Sequence, residues 1–187
     1  MSGRRAVVVA GIATAAAAIV PAGASAEETT CRGSLGAVAV DNLRVPQEGR
    51  CILTGTRVQG TIKVERAATL GARGVRVIGN VQAENAQRVN VIQGSRIGGS
   101  VQVKQGQAAS VTGSKITGDI QYFSNDAALT ASDNCVGGSI QIIGNDAQAS
   151  IFRNRVNGNL QCKENRSRPT GGSNVVGGNK EDQCAGL

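Results

Sequence analysis

The sequence predicts an all-β protein, a right-handed parallel β-helix (solenoid) of about seven turns with 19–20 residues in each turn. The first observation is a pentapeptide with glycine in the middle, such as Val58-Gln59-Gly60-Thr61-Ile62, that recurs at this period. The repeated glycines are Gly60, Gly79, Gly99, Gly118, Gly138 and Gly158, and Gly177-Gly178 begins a degenerate further copy. A fixed period of this size is typical of stacked repeats, in which each unit buries its face only against its neighbours.

The second observation is a strand-like alternation of apolar and polar residues around each glycine. With that glycine as position 0, positions −2, +2 and +4 are apolar, as in Val58, Ile62 and Val64, and positions +1 and +3 are mostly polar. A period of two indicates a strand with one buried face. A tandem of β-hairpins is a rival, because Gly98-Gly99 suits a hairpin turn. A hairpin would place the apolar residue at position −2 and the polar residue at position +1 on the same face of the sheet. A continuous extended segment with a bend at glycine is therefore favoured.

The third observation is the content of the rest of each repeat. Apolar residues there predict a second sheet, and they are Leu70, Val89, Val91, Val111, Leu129 and Ile151. A left-handed β-helix is less consistent with the chain, because it normally needs strict hexapeptide units and the period here mixes 19 and 20 residues. The low aromatic content, 2%, favours a narrow core of β-branched residues.

The N-terminus predicts export. Arg4 and Arg5 precede an apolar run over residues 6–20, and residues 24–26 fit the small-residue rule for cleavage, so residues 1–26 are expected to be a cleaved signal peptide. The run is too short to span a bilayer comfortably, and no membrane insertion is expected. The expected location is secreted or extracellular.

Three parts are expected to follow the signal peptide. Residues 27–57 form an N-terminal cap, residues 58–165 the β-helix repeats and residues 166–187 a C-terminal cap. The formal net charge of +7 permits attraction to anionic surfaces without requiring it.

The cysteine spacing predicts two disulfides, one at each end of the stack. Cys31 and Cys51, and likewise Cys162 and Cys184, are about one repeat apart and would lie on adjacent turns, at ~4.8 Å. That separation suits a disulfide, and export favours oxidation. Cys135 is left unpaired. With no histidine and no C-x-x-C motif, no metal site and no cofactor are expected.

Polar residues at fixed positions predict ladders along the axis. An outward-facing glutamine column would contain Gln82, Gln102, Gln121, Gln141 and Gln161. Two asparagine columns would contain Asn134, Asn154 and Asn174, and Asn125, Asn145 and Asn165. Stacked amides can hydrogen-bond from turn to turn. We interpret the asparagines as corner residues that tolerate left-handed backbone, and the glutamines as structural first and ligand-binding second.

Position −3 predicts a line of positive charge, which we name the cation column. Its members are Arg57, Arg76, Arg96, Lys115 and Arg155, and Cys135 interrupts it. Like charges at this spacing do not stabilise a coil. The column either keeps the protein soluble and prevents sheet-to-sheet association, or binds a linear anion such as an acidic polysaccharide. Asn80, Ser100, Ser139 and Asn159 are expected to add hydrogen bonds to that ligand.

Enzymatic activity is not expected. A polysaccharide lyase needs carboxylates that hold calcium together with a base, and a hydrolase needs clustered carboxylates. Asp126 and Asp146 stack one repeat apart and are the pair considered for catalysis, so a lyase or hydrolase on the same scaffold is the alternative function. Ice binding is not favoured either, because the threonines are scattered along the sequence.

Residues 158–184, near the C-terminus, are similar in sequence to a group of known proteins. This tail reads Gly158-Asn159-Leu160-Gln161-Cys162-Lys163-Glu164-Asn165, and then Pro169-Thr170-Gly171-Gly172-Ser173-Asn174-Val175-Val176-Gly177-Gly178-Asn179-Lys180-Glu181-Asp182-Gln183-Cys184. In this tail, and in its alanine-rich leader with a basic start, the chain resembles a group of uncharacterised secreted actinobacterial proteins with right-handed parallel β-helix repeats. The resemblance implies export and the fold, and it implies no activity.

The sequence therefore predicts a secreted, non-enzymatic structural or surface-interaction protein. The expected partner is an anionic cell-wall or extracellular polysaccharide bound through the cation column. Nucleic acid is not expected as a partner, and oligomerisation through the ends of the coil is left open.

Overall fold

A computed structural model describes residues 27–187, and the predicted signal peptide, residues 1–26, lies outside the described residues. The described part is a parallel β-solenoid of about eight turns, with 25 strands in three sheets and no helix. The predicted all-β, parallel solenoid is confirmed. In each turn the chain passes through the third sheet, then the first, then the second.

The strands are numbered in chain order, and every neighbouring pair is parallel. The first sheet contains β1 (Glu28–Thr30), β4 (Asn42–Val45), β7 (Ile62–Val64), β10 (Val81–Glu84), β13 (Val101–Lys104), β16 (Ile120–Phe123), β19 (Ile140–Ile143), β22 (Leu160–Lys163) and β25 (Lys180–Asp182). The second sheet contains β2 (Gly33–Leu35), β5 (Arg50–Thr54), β8 (Thr69–Arg73), β11 (Arg88–Ile92), β14 (Ala108–Thr112), β17 (Leu129–Ser132), β20 (Ala149–Phe152) and β23 (Thr170–Gly172). The third sheet contains β3 (Ala39–Val40), β6 (Arg57–Val58), β9 (Arg76–Val77), β12 (Arg96–Ile97), β15 (Lys115–Ile116), β18 (Cys135–Val136), β21 (Arg155–Val156) and β24 (Val175–Val176).

The sequence period and the structural register coincide. Val81 lies opposite Val101 on the neighbouring strand, and Gln102 lies opposite Gln121. Because each repeat supplies one complete turn, residues at the same repeat position stack directly along the axis. The bend expected at glycine is a corner between the third and first sheets, so the segment predicted to be one strand forms two short strands.

The core is a narrow apolar column inside the coil. The residues at positions −2, +2 and +4 are buried, and so are the apolar residues expected for the second sheet. Tyr122 is the largest fully buried side chain, and its hydroxyl donates to the carbonyl of Thr130 at 2.8 Å. Burial raises the pKa of Tyr122 far above its ordinary value, so this hydroxyl remains a hydrogen-bond donor.

The solenoid begins earlier than the repeat pattern indicates. Residues 27–57, expected to form a cap, already contain strands of all three sheets, from β1 to the start of β6. Residues 166–187 likewise contain β23, β24 and β25. The irregular ends are thus turns of the coil whose sequences have departed from the repeat, and they raise the count from seven turns to about eight.

Two asparagine ladders run along the inside of the corners. All six asparagines predicted to stack are buried. The side-chain oxygen of Asn145 accepts hydrogen bonds from the backbone N–H and the Nδ2 of Asn125, each at 2.9 Å. The Nδ2 of Asn145 donates to the Tyr122 carbonyl at 3.0 Å and to Asn165 Oδ1 at 2.9 Å. Each amide therefore satisfies buried polar groups of the adjacent turns.

The asparagines were expected at the corners because they tolerate left-handed backbone, and this explanation is wrong. Left-handed backbone occurs at the residue before the asparagine, as at Ser124 (φ 54°), Asp133 (φ 59°) and Arg153 (φ 51°). The preceding residue adopts the left-handed conformation that turns the chain at the corner, and the asparagine side chain is buried inside the coil. Asparagine is needed there for its side-chain donor and acceptor, not for tolerance of positive φ.

Both predicted disulfides are present. The Cα–Cα distance is 5.6 Å for Cys31–Cys51 and 5.1 Å for Cys162–Cys184, and all four cysteines are buried. The register expected for them is wrong, because Cys51 lies opposite Gly33 and Cys162 lies opposite Asp182. Cys31 and Cys184 lie just outside the terminal strands, so their side chains turn inward over the two ends of the core.

Candidate functional site

The third sheet exposes the cation column. Each of its six inner strands, from β6 to β21, has two residues, of which the first is exposed and the second buried. The first residues lie in register on successive turns, in the order Arg57, Arg76, Arg96, Lys115, Cys135 and Arg155. The predicted column is therefore brought together as a continuous line, with the exposed, free Cys135 between Lys115 and Arg155.

The charges of the cation column are not neutralised. Among residues 27–187, none of its five cations forms an ion pair with a carboxylate. Adjacent strands are ~4.8 Å apart. Two unit charges at about that distance repel by ~1 kcal/mol in water. The long side chains reduce this cost by splaying, but the column gains nothing from its neighbours, so the fold alone does not account for it.

Two shallow depressions lie beside the cation column. One, of about 260 Å³, lies between Arg57 and Arg76 and is also lined by Gln59 and the exposed Ile78. The other, of about 400 Å³, has Lys115 and Arg155 on its border and Cys135 between them. Neither depression is enclosed, so each could take part of an extended chain that lies on the surface.

One group of residues expected to contact a ligand is also used by the fold. The backbone N–H of Ser100 donates to Asn80 Oδ1 at 2.8 Å, and the N–H of Asn159 donates to Ser139 Oγ at 3.0 Å. The same bond recurs at every turn from Asn42 to Asn179. The side-chain oxygens of Asn80, Ser100, Ser139 and Asn159 therefore cap the next turn at the corner, and hydrogen bonds from these residues to a ligand stay a prediction.

The glutamine ladder has the predicted order on the outer face of the first sheet. Gln102 donates to Gln121 and Gln121 donates to Gln141, each at 2.8 Å. The N-terminal end of the ladder borders a groove of about 520 Å³, which also contains Lys63, Lys104, Glu65 and Glu84. This groove has both signs of charge, so it does not extend the positive surface of the third sheet.

The acidic pair considered for catalysis is exposed. The backbone N–H groups of Asp126 and Asp146 donate to carbonyls of the preceding turn at 3.0 Å, and their carboxylates face solvent. No group of three or more histidine, cysteine, aspartate or glutamate side chains able to hold a metal ion occurs among the described residues.

An ion pair lies near the C-terminal end of the cation column. The Arg153 guanidinium donates to both carboxylate oxygens of Asp133, at 2.7 and 2.9 Å. These hydrogen bonds hold the pKa of Asp133 below its usual value. This pair adds no net charge, and the uncharged Cys135 interrupts the column here, so the cations are more widely spaced than at Arg57, Arg76 and Arg96.

The second sheet also carries a set of stacked hydroxyls that was not predicted from the sequence. The residues Ser110, Thr130, Ser150 and Thr170 lie in register, and Thr112 lies opposite Ser132. Thr112 and Ser132 hydrogen-bond to each other at 3.3 Å. The threonines look scattered because serine occupies alternate turns, and a search for either residue type alone does not reveal the column.

Within the described part of the chain, no helix has the length and apolar character that a bilayer crossing requires. Comparison with family models, with curated proteins and with solved structures gave no match. The resemblance of the tail to secreted actinobacterial proteins stays a prediction. The cation column is the candidate site that rests on both the sequence and the geometry.

Proposed function

We propose that this protein is a secreted, non-enzymatic β-solenoid that binds linear anionic polymers through the cation column. The observation that carries the proposal is a line of five cations, in register on the third sheet, without ion-pair partners among residues 27–187. The partner is an acidic polysaccharide or a phosphate-bearing polymer of a cell wall or extracellular matrix.

Two features favour binding over a role in solubility alone. A protein that needs only solubility can mix charges of both signs on its surface, whereas the cation column has one sign over four consecutive turns, from Arg57 to Lys115. The column also follows the axis beside open depressions, so successive anionic groups of an extended polymer would meet successive cations. The solenoid fixes the backbone positions of these residues in register before binding, which lowers the entropic cost of association.

The experiment is salt elution from immobilised heparin and from an immobilised anionic wall polymer. The variant Arg76→Glu/Arg96→Glu reverses two adjacent members of the cation column. We expect it to elute at clearly lower NaCl concentration than the parent protein, because fewer polymer counterions are released on binding. The dependence of log affinity on log salt should become correspondingly shallower.

The matched control is Arg166→Glu/Arg168→Glu. These two exposed arginines lie between β22 and β23, at the corner between the first and second sheets, and the substitutions change the net charge by the same amount. We expect elution of the control to stay close to that of the parent. Equal losses in the two variants would mean that only net charge matters, and this result would overturn the proposal.

A further inference from the structure

The second sheet has a depression with positive charge that is separate from the cation column. It has a volume of about 500 Å³ and lies over β5, β8 and β11. Its floor includes Gly71, which has no side chain, and the half-buried Ile52 covers part of that glycine. The Cδ1 of Ile52 lies where a side chain at Gly71 would begin, 2.9 Å from the position of a Cβ, so Ile52 itself lines the hollow beside the glycine.

Two arginines lie on opposite sides of this hollow. Arg50, Thr69 and Arg88 are in register on three successive strands, so the arginines are two strand spacings apart, roughly 9.6 Å at the Cα atoms. Thr69 lies between them and leaves room above its short side chain. Both arginines are exposed, and neither forms an ion pair within residues 27–187. None of the residues that line the hollow is acidic.

The side chains that line this hollow suit a ligand that has both an oxyanion and a sugar ring. A guanidinium donates two parallel hydrogen bonds to the oxygens of a sulfate or phosphate group. Asn90 presents an amide to the hollow, and Thr69, whose hydroxyl donates to Gln87 Oε1 at 3.3 Å, presents a hydroxyl oxygen that can accept, so both suit the hydroxyls of a sugar ring. Ile52 supplies an apolar surface for the C–H face of that ring.

We infer that this hollow binds a sugar carrying an ester oxyanion, either sulfate or phosphate, held between Arg50 and Arg88. The site lies on the second sheet and the cation column on the third, so it goes beyond the proposed function and can fail independently of it. If both sites bind, one glycan chain would be contacted on two faces of the coil.

The test is NMR titration of the ¹⁵N-labelled protein with four small probes. These are glucosamine 6-sulfate, glucose 6-phosphate, N-acetylglucosamine and inorganic sulfate. We expect the two charged sugars to shift the Nε–H signals of Arg50 and Arg88 and the amide signals of residues 69–71. We expect the neutral sugar to shift none of them, and inorganic sulfate to bind more weakly than either charged sugar. The stronger of the two charged sugars identifies the ester.

The variant Arg50→Gln/Arg88→Gln should weaken binding of the charged sugars by more than about tenfold, because each charge-assisted bond is lost. Both side chains are exposed, so the variant is expected to fold, and unchanged amide spectra elsewhere check this. Arg166→Gln/Arg168→Gln removes the same charge outside the hollow and should bind within about twofold of the parent. Absence of shifts with both charged sugars, inorganic sulfate binding as strongly as the sugars, or equal losses in the two variants would overturn the inference. None of these results bears on elution from heparin through the third sheet.

Discussion

At the scale of single residues, the repeat glycine is required by the close approach of two turns. The Cα of Gly99 faces the side-chain oxygen of Asn80, and a Cβ built there would also lie 2.9 Å from the carbonyl oxygen of Gly79. The same conflict recurs at the other repeat glycines, each with the capping side chain of the preceding turn. Each repeat glycine therefore leaves space for the polar side chain of the preceding turn. At Gly99 that side chain is Asn80, which follows the glycine of its own turn, Gly79.

Gly99→Ala is expected to destabilise the protein by about 2–4 kcal/mol, through overpacking and loss of the bond from Ser100 to Asn80. The control is Gly172→Ala, because a Cβ there meets no atom within 4 Å and φ is not in the positive range. That change should be neutral or stabilising by about 0.4–1 kcal/mol. Urea denaturation of the two variants provides the measurement, and equal midpoints would contradict this account of the glycine repeat.

At the scale of the structural elements, two amide ladders with the same spacing have different roles. The asparagines are buried at the corners, where water cannot replace a lost hydrogen bond, whereas the inner glutamines are half-exposed on the first sheet. A ladder inside the coil is consequently essential to the fold. A ladder outside it adds a modest stabilisation and remains accessible.

Asn145→Ala is expected to destabilise the fold by about 3–5 kcal/mol, because it leaves the backbone N–H of Asn125 and one N–H of its Nδ2 without an acceptor and the Tyr122 carbonyl without a side-chain donor, all in buried positions. Gln121→Ala removes two side-chain hydrogen bonds from the outer ladder and should cost no more than about 1 kcal/mol. Equilibrium unfolding and amide exchange at Asn125 distinguish the two ladders. A similar cost for both variants would show that burial is not the deciding factor.

At the scale of the whole molecule, the stability of each turn depends on its packing against the two adjacent turns. Each turn contacts only its neighbours, so the ends of the stack are its weakest parts. The two disulfides lie at these ends and cover the terminal layers of the core. Between them the three sheets of the solenoid display columns of side chains in register, and the cation column is one of these.

Replacing Cys162 and Cys184 by alanine is expected to destabilise the last turn by about 3 kcal/mol, since the link closes a loop of about 20 residues. Hydrogen exchange should then accelerate over residues 170–187 and change little over residues 81–123, which lie several turns away. Cys135→Ser, which removes the free exposed thiol, is the control and should leave exchange unchanged. Uniform acceleration along the whole chain would contradict turn-by-turn stability.

Much of the fold could be predicted because the repeat period equals one turn. Once the period is known, residues one repeat apart must stack, and this places Gln102 beside Gln121 and Arg76 beside Arg96 without further information. The pairing of the four disulfide cysteines followed from the same period. The sequence predicts caps at both ends because residues 27–57 and 166–187 do not match the repeat, although their backbone continues the coil.

The sequence by itself determined the period, the buried face and the order of residues along each column, because these depend only on spacing and polarity. Only the tertiary structure decided the depth and direction of each side chain. It buried the asparagines, assigned the polar residues after glycine to the next turn, and placed Arg50 and Arg88, from different repeats, on the border of one hollow. The physical reason is that such roles depend on which neighbour fills the space at a corner or on a face, and that neighbour lies one turn away.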